Sequence, residues 1–576
     1  MCCEQMKRIP AKPRDSLAER GNLGPGVWRE AGKPQADLRF SRAKWSGPCR
    51  LFMSETMIAV NVARIRRGFF RAPMMWAMVL GFWINLGIAA QAEFGEIQSR
   101  IQEFTLGNGL KFLVLARPQA PVASFYTYAD VGSAQETKGI TGLAHIFEHM
   151  AFKGTQTIGT RDAQAEKIAM AKIDQAFAML QQERRKGDQA NPERLKQLTA
   201  EFQSAQQEAA KYVVKNEFGD IIERAGGRGL NASTATDRTD YFFSLPSNAA
   251  ELWFYLESER FRDPVLREFY RERDVVMEER RMRTESNPIG KLIEDYLSVA
   301  YKAHPYGEPT IGHMSDLVHI RREDAEAFFN KHYVPSNLTA AVVGDVDPKR
   351  IRELAEAYFA RLPARPKPDP VRTEEPPQEG ERRLTLRLQA QRLILMGFHK
   401  PGILHPDNAV YDALGSLLSE GRSSRLQRNL VRDQKLAVDI GGFPGFPGQK
   451  YPGLFLFYAF TAPGHSNAEV ETALLKEIER LQKEPVSKAE LDGVKRRARA
   501  NLIRQLDDNM GLASNLATYH GLTGDWRNLF RQLDKINAVT PEDIQRVAKA
   551  TFTEKNRTIG IIEPIETADI NLAPSE

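Results

Sequence analysis

The chain has 576 residues, of which 42% are hydrophobic, enough for two or more globular domains with sizeable cores. Its formal net charge of +6 comes from the N-terminus, because residues 1–92 hold 15 Lys+Arg and 6 Asp+Glu and the rest carries a net charge of −3. The basic balance therefore gives no reason to expect a nucleic-acid partner. All three cysteines lie within the first 49 residues, so the remaining chain has no thiol for a metal or a disulfide.

Residues 1–92 have the pattern of a leader with a secretory signal. Four arginines between Arg64 and Arg71 precede an apolar run at about 73–88 and an A-x-A site that ends at Ala92. We expect cleavage after Ala92 and a periplasmic or secreted mature chain. The apolar run is too short for a comfortable membrane span, so no stable span is expected after cleavage. Because the leader is long, Met53 or Met57 is an alternative start, and retention of the signal as an anchor stays open.

The first elements after the leader are predicted to be β-strands. The segment FTLGNGLKFLVL (104–115) places Asn108-Gly109 between two apolar runs, a strong signal for a β-hairpin. A further apolar run at 122–131 predicts a third strand.

The stretch TGLAHIFEHMAFKGT (141–155) contains His145, Glu148 and His149, spaced H-x-x-E-H. On a helix these side chains share one face, because positions i, i+3 and i+4 are neighbours. Two neutral imidazoles one turn apart can hold one zinc ion, and the carboxylate beside them can accept a proton from the activated water. The pattern therefore predicts a catalytic zinc site, which needs a third protein ligand from elsewhere. The alternative is that both histidines are structural.

Residues 163–217 are predicted to form a helical hairpin inserted after the H-x-x-E-H helix. Its first arm breaks at Lys186-Gly187-Asp188, and Asn191-Pro192 opens the second. The insertion could be a docking arm or a lid, but self-packing is the favoured interpretation. In that case apolar side chains of the two arms face each other: Ile168, Ile173, Phe177 and Leu180 against Leu195, Leu198 and Phe202.

Two later segments complete the first half. LNASTATDRTDYFFSLP (230–246) alternates like a β-strand, and YRERDVVMEER (270–280) is predicted to be a charged helix. Glu272 and Glu279 are seven residues apart and therefore lie on one helical face. Glu278 lies about 100° round the helix from Glu279. Taken alone, this helix would be a solvated surface element.

A linker and an internal repeat divide the chain into two predicted domains, 93–362 and 381–576. The linker, PARPKPDPVRTEEPPQEG (363–380), is rich in proline and is predicted to be a semi-rigid spacer. The segments 323–343 and 542–562 align without gaps at an offset of 219 residues. This alignment indicates duplication of an α+β unit.

The H-x-x-E-H motif and the segment ERDVVMEER together resemble the pitrilysin family of zinc peptidases, the inverzincins, which includes insulin-degrading enzymes and mitochondrial processing peptidases. The resemblance implies an α+β fold of two homologous domains, each an antiparallel β-sheet with helices packed on it, that close like a clamshell around a peptide. The helical insertion accounts for the long span between the motif and the third ligand. The resemblance also implies one zinc ion per chain, the ligands His145, His149 and Glu279, the general base Glu148, and Glu272 supporting a ligand imidazole.

The segment beginning LNAST resembles the family's N-A-x-T strand. The resemblance implies an edge strand of the active-site domain that pairs with the substrate backbone, with Asn231, Ala232 and Thr234 at the matching positions. Backbone pairing binds extended peptides with little regard to their sequence. The alternative is an ordinary alternating strand.

The second half has no H-x-x-E-H motif. His399 and His405 lie in segments similar to landmarks of the family's second domain, but no Glu is placed to complete a metal site, so both are interpreted as structural. Family members that act alone carry an Arg and a Tyr in a segment like L-R-E-K-x-G-L-A-Y. In LVRDQKLAV these positions are Val431 and Val438, and Arg432 would fit only after a one-residue shift. This departure implies a homologous partner subunit that supplies the Arg and Tyr.

The sequence therefore predicts a zinc-dependent endopeptidase that hydrolyses extended peptides or small unfolded proteins in an enclosed chamber, with a homologous partner subunit. One alternative is a non-catalytic structural or peptide-binding subunit of a family heterodimer. The intact motif argues against it, because such relatives usually lose one of these residues. A second alternative is a metal-binding or peptide-capturing module without turnover.

Overall fold

The structure is a computed structural model that describes residues 94–262 and 264–565. The predicted leader and its cleavage site at Ala92 lie outside the described residues. Within the described part, no helix combines the length and the apolar character needed to cross a bilayer. The described residues belong to one compact unit.

The first half of the chain builds a six-stranded sheet. Its strands are β1 (Gln102–Thr105), β2 (Lys111–Ala116), β3 (Val122–Ala129), β4 (Arg228–Thr234), β5 (Thr239–Pro246) and β6 (Leu338–Gly344). They are arranged in the order β1-β2-β6-β3-β5-β4, so β4 is an edge strand. The predicted hairpin is confirmed, and Gly109 at its turn has a φ of +94°, which favours glycine.

Within the described residues, ten helices lie between β3 and the linker: α1 (Leu143–Met150), α2 (Ala163–Arg184), α3 (Pro192–Ala210), α4 (Glu217–Arg224), α5 (Ala250–Arg262), α6 (Phe269–Arg280), α7 (Pro288–Ala300), α8 (Met314–His319), α9 (Arg322–His332) and α10 (Pro348–Phe359). The core between them and the sheet is aromatic. Phe125 of β3 stacks on Trp253 of α5 at a centroid distance of 4.9 Å, and both are fully buried. Each such side chain contributes about 2–3 kcal/mol through burial.

The second half builds a five-stranded sheet, in the order β7-β11-β8-β10-β9. The strands are β7 (Arg382–Leu388), β8 (Leu393–Lys400), β9 (Ala437–Phe446), β10 (Gly453–Thr461) and β11 (Arg557–Pro564). The helices are α11 (Asn408–Ser419), α12 (Asn467–Lys483), α13 (Lys488–Asp507), α14 (Asn509–Thr523), α15 (Asn528–Ala538) and α16 (Pro541–Thr551).

The predicted α+β fold class is confirmed, with two sheets that share a strand order. The repeated segments correspond to α9 followed by β6 and to α16 followed by β11. Both β6 and β11 lie inside their sheets, next to β3 and β8. The sheets are mixed rather than purely antiparallel, because β2 pairs with β6, and β7 with β11, in parallel. These pairs join strands distant in sequence, as parallel connections require.

The two halves exchange helices. Tyr296 of α7, from the first half, donates a hydrogen bond to the carbonyl of Thr558 in the second sheet, and a Cβ on Gly397 would lie 2.1 Å from its hydroxyl. In return α14 packs on β3, where a Cβ on Gly521 would lie 2.0 Å from the ring of Tyr128. Separating the halves would expose both buried tyrosines, so the two halves in the described residues form one packed body.

The linker 363–380 has no regular secondary structure, as predicted, but it is attached rather than spanning freely. The carboxylate of Glu375 accepts the backbone N–H groups of residues 302, 303 and 304 at 2.8, 2.9 and 3.1 Å. Lys367 forms an ion pair with Asp130 at 2.9 Å. These contacts hold the linker against the first half.

The helical insertion packs mainly on itself, as the favoured interpretation predicts, but it also contacts α6. The hairpin α2–α3 forms, with Asn191 capping α3, and the predicted core residues are buried or partly buried with one exception. Ile168 is 54% exposed and takes no part in the hairpin core. Phe177 of α2 lies between Phe202 of α3, at 5.3 Å, and Tyr270 of α6, at 4.5 Å. The arm is therefore packed against the helix that carries Glu272 and Glu279.

Candidate metal centre

Helix α1 begins at a glycine and is capped by a buried carboxylate. Gly142 has a φ of 96°, and the oxygens of Glu136 accept the N–H groups of Gly142 and Ala144, each at 2.7 Å. Burial raises the pKa of Glu136 to about 8, while these two donors and the N-terminal end of the helix favour the ionised carboxylate. The cap fixes the start of the helix that carries the H-x-x-E-H residues.

His145 and His149 lie on one face of α1, as the spacing predicts. Their ring centroids are 5.0 Å apart and the rings are nearly perpendicular. Helix α6 packs against α1 and presents Glu279 to this face. The Oε2 atom of Glu279 lies 3.7 Å from Nε2 of His145 and 3.4 Å from Nε2 of His149.

These three side chains fit a zinc ion. One ligand atom from each lies within 4.8 Å of the others, and two imidazoles with one carboxylate form a common ligand set of catalytic zinc. In the described residues, no other group of three or more His, Cys, Asp or Glu side chains meets this criterion. Glu278 is 63% exposed and paired with Arg281, away from the group.

The electrostatics favour a cation between the ligands. Burial lowers the pKa of His145 to about 4, which keeps its imidazole neutral. Burial also lowers the pKa of His149, but hydrogen bonds to Glu272 and Glu279 outweigh it and raise the pKa to about 9. The hydrogen bond from His149 holds the pKa of Glu279 at about 2. A metal ion would replace the proton of His149 at this position.

Glu272 contacts His149 from the side away from Glu279. Its Oε2 lies 3.5 Å from Nδ1 of His149, while its Oε1 lies 2.6 Å from Nζ of Lys153. A carboxylate at Nδ1 is the usual outer partner of a ligating imidazole, since it fixes the tautomer and the ring orientation.

Glu148 lies outside the ligand group and contacts the edge strand. Burial raises the pKa of Glu148, and the neighbouring Thr234 lowers it by a smaller amount. A base whose pKa lies nearer neutrality exchanges protons more effectively at physiological pH.

The residues of the predicted substrate strand lie on β4. Asn231 is exposed, Ala232 is buried, and the hydroxyl of Thr234 also lies 3.4 Å from the carbonyl of Ala144 in α1. Since β4 is the last strand of its sheet, one edge of its backbone is unpaired by the sheet. Strand β4 contacts α1, the helix of the candidate metal centre, through Thr234.

The second half has no comparable site in its described residues. Nε2 of His399 lies 3.0 Å from the carbonyl of Ala300, and His405 is a half-exposed loop residue. Val431 packs against the core of the second half, Val438 is 56% exposed, and Arg432 pairs with Asp433.

Four contributors to the site were missed from the sequence. Glu136 lies six residues before the helix it caps, outside the capping-box spacing. Lys153 lies in the segment 141–155 with the H-x-x-E-H residues, but nothing in the sequence links it to Glu272. Arg267 pairs with Glu166 across 101 residues, and Arg283 lies 2.6 Å from Oε1 of Glu279. Of these contacts, only the ion pair of Arg283 with Glu279 could have been predicted from the sequence, because the two residues are spaced i, i+4.

Two family models match the chain. The model described as Insulinase (Peptidase family M16) matches residues 111–181, and the one described as Peptidase M16 inactive domain matches residues 319–498. The zinc protease PqqE of Helicobacter pylori is 31% identical over 499 residues, covering 84% of this chain and 96% of that protein. The uncharacterized zinc protease YmxG of Bacillus subtilis is 23% identical over 468 residues, covering 81% of this chain and 98% of that protein.

Solved structures show the same fold. The crystal structure of a protease from Helicobacter pylori matches with a TM-score of 0.67 and 28% identity, covering 81% of this chain and 99% of that one. The periplasmic protease PqqL of Escherichia coli matches in fold, with a TM-score of 0.61 and 18% identity, covering 82% of this chain but 49% of PqqL. With the relative from Helicobacter pylori matched over almost its whole length, the chain belongs to the M16 (insulinase) family of peptidases.

Proposed function

We propose that the chain is a zinc-dependent endopeptidase that hydrolyses extended peptides or small unfolded proteins in an enclosed chamber. The observation that carries the proposal is the convergence of His145, His149 and Glu279. Glu148 lies on α1 with the two histidines but outside the ligand group. This arrangement gives three ligands and a separate base, which is what metal-assisted hydrolysis needs.

Each side chain has one task in the proposed reaction. A zinc ion on the three ligands would supply a Lewis acid and lower the pKa of a bound water from about 15.7 to about 7. Glu148 accepts a proton from the attacking water and passes it to the leaving amine. Thr234 lies beside Glu148 and favours its ionised carboxylate, and Glu272 orients the ring of His149.

Extended peptides are the proposed substrates because β4 is an edge strand beside α1. A peptide that pairs with β4 would add a strand to the sheet, with Asn231 and Ala232 at the pairing positions. Main-chain pairing gives affinity without a fixed sequence, which suits unfolded segments.

A homologous partner subunit is part of the proposal. The fold match covers only about half of PqqL, and the first half of PqqL matches this chain at 94% of its length. Val431 and Val438 stand where self-sufficient family members carry Arg and Tyr. One lost oxyanion donor costs about 3–4 kcal/mol, so the isolated chain is expected to be nearly inactive.

A non-catalytic subunit is the second candidate function. It is favoured by the match of residues 319–498 to the model described as the inactive domain of the family. It is opposed by the complete set of three ligands and a base in the first half.

We further propose a periplasmic or secreted location. The support is the leader pattern of residues 1–92, with its arginines, apolar run and A-x-A site. N-terminal sequencing of the protein exported by a bacterial host tests this, with a mature terminus at residue 93 expected.

Glu148→Gln tests the base, with Glu278→Gln as the exposed control on α6. The first variant should keep one zinc ion per chain and lose about 10²- to 10⁴-fold in cleavage of a quenched peptide, whereas the control should match wild type. Near wild-type turnover by Glu148→Gln would refute its role. A chain that binds zinc but never cleaves, with or without a partner, would favour the second candidate.

Titration with a homologous chain tests the partner. Candidate chains that contain the Arg and Tyr but no H-x-x-E-H motif are added to a fixed concentration of this protein, and cleavage is followed. Saturable activation is expected. Full activity of a chain that light scattering shows to be monomeric would refute the shared site while leaving the zinc ligands intact.

A further inference from the structure

Lys153 lies beside the metal centre and has no role in the proposed reaction. It follows the end of α1 by three residues, and 21% of its side chain is exposed. Its Nζ lies 2.6 Å from Oε1 of Glu272 and 3.1 Å from Oε2 of Glu268. The second oxygen of Glu272 lies 3.5 Å from Nδ1 of His149. The Glu272 carboxylate is therefore held between an ammonium group and a ligand imidazole.

The backbone around Lys153 is fixed by a buried guanidinium. Arg267 donates to the carbonyl of Lys153 and, at 2.9 and 2.7 Å, to those of Ile158 and Thr155. A Cβ on Gly159 would lie 2.7 Å from Nη1 of Arg267, so the loop needs a glycine there to approach this closely. The loop after α1 is thus wrapped around Arg267.

Arg267 is in turn held by the helical arm. Its Nε and Nη2 atoms donate to the two oxygens of Glu166, in the first turn of α2, at 2.8 and 3.0 Å. Both side chains are only 2% exposed. A bidentate pair of this kind fixes geometry as well as charge. A continuous set of contacts therefore links the arm, through Arg267 and Lys153, to Glu272 and His149.

We propose that Lys153 is a positioning residue of the metal centre, which fixes the Glu272 carboxylate against His149 and is itself held by the Arg267–Glu166 pair. With Glu272 held in place, Nδ1 of His149 donates to it, which leaves the Nε2 lone pair for a metal ion that Glu279 would also bind. The inference rests on the proposed function, because it requires a metal on His145, His149 and Glu279. The helical arm is then a support of the metal centre.

A merely structural lysine would behave differently. Lys153 contacts two carboxylates, and only Glu272 continues to a ligand. If the lysine served only to attach the loop to α6, removing it would leave zinc affinity unchanged whether or not Glu272 is present. If it acts through Glu272, removing Glu268 leaves the metal centre unchanged.

Metal affinity of the full chain tests the proposal. Zinc dissociation constants are measured by chelator competition for wild type, Lys153→Met, Glu272→Gln, the double variant and the control Glu268→Gln. Outer partners of a ligating imidazole contribute about 10- to 100-fold to metal affinity. We expect about 10-fold weaker binding for Lys153→Met and less than about twofold change for Glu268→Gln. In the Glu272→Gln background, Lys153→Met should add less than about twofold.

A spectroscopic signature complements the affinities. The visible absorption of the cobalt-substituted chain reports the ligand arrangement, and Lys153→Met should shift it, whereas Glu268→Gln should leave it unchanged. Should that variant not fold, Lys153→Gln gives the same comparison at this partly exposed position.

Two outcomes would overturn the inference. One is zinc affinity of Lys153→Met within about twofold of wild type, and the other is additive losses for Lys153→Met and Glu272→Gln. Wild-type chain that binds no zinc would instead refute the proposed function. The two failures are therefore distinguishable.

Discussion

Glu166→Gln should weaken both the helical arm and α6, the helix that carries Glu279. The carboxylate is buried and binds Arg267 through both oxygens, so the glutamine leaves a buried guanidinium without its counter-charge. Removing one partner of a buried pair costs about 3–5 kcal/mol. Three backbone carbonyls also accept from Arg267, so we expect the lower end, about 3 kcal/mol.

Substitution of the other partner, Arg267, should lower stability further. Arg267→Met removes every donor of the cluster, so it strands the Glu166 charge and leaves three loop carbonyls without their guanidinium partner. Each buried unsatisfied group adds about 1–3 kcal/mol. We therefore expect Arg267→Met to lower stability by more than about 5 kcal/mol and to impair folding.

Hydrogen exchange resolves these effects by segment, which matters because a chain of this size need not unfold in one step. A loss of about 3 kcal/mol corresponds to about 150-fold faster exchange in the segments that open with the arm. The increase should appear in 163–184 and also in 269–280. The exposed Glu201→Gln serves as control. Faster exchange confined to 163–210 would refute the view that the arm supports α6.

Three further predictions concern other parts of the chain. Glu279→Gln should release zinc on dialysis, whereas Glu278→Gln should retain it. Metal analysis after dialysis measures both, and zinc loss from Glu278→Gln alone would instead assign Glu278 as the third ligand. Glu136→Gln should lower the thermal midpoint, since losing part of a helix cap costs about 1 kcal/mol, and an unchanged midpoint would refute the cap. Despite burial, hydrogen bonds from Lys111 and other donors hold the pKa of Glu103 at about 2, below its usual 4.5. Its stabilisation is therefore present above pH 4.5 and lost as pH falls to 2. Glu103→Gln should lower stability by about 1 kcal/mol at pH 7 in denaturant titrations, and an equal loss at pH 2 would contradict the assignment.

Local sequence patterns predicted several elements at the correct positions. The Asn108-Gly109 turn, the restart of the helical insertion at Asn191 and the repeated helix–strand units all follow from interactions between residues close in sequence. Helix periodicity likewise predicted that Glu272 and Glu279 share a face and that Glu278 does not.

Local sequence patterns did not predict the packing between distant segments. The insertion has the apolar periodicity of a self-contained hairpin, and Phe177 satisfies that pattern equally well against Phe202 or Tyr270. Ile168 fits the period but faces solvent. Periodicity identifies which face of a helix is buried, but not what covers it.

The sequence by itself determined the fold class, the helix that carries His145, Glu148 and His149, and the shared helical face of Glu272 and Glu279. These follow from spacing along single elements and from the family resemblance. Only the tertiary structure decided that Glu136 caps this helix, that Lys153 contacts Glu272, and that Arg267 joins the arm to the loop after α1. Hydrogen bonds and ion pairs between residues far apart in sequence depend on how whole elements pack. The spacing of side chains along one element does not determine that packing.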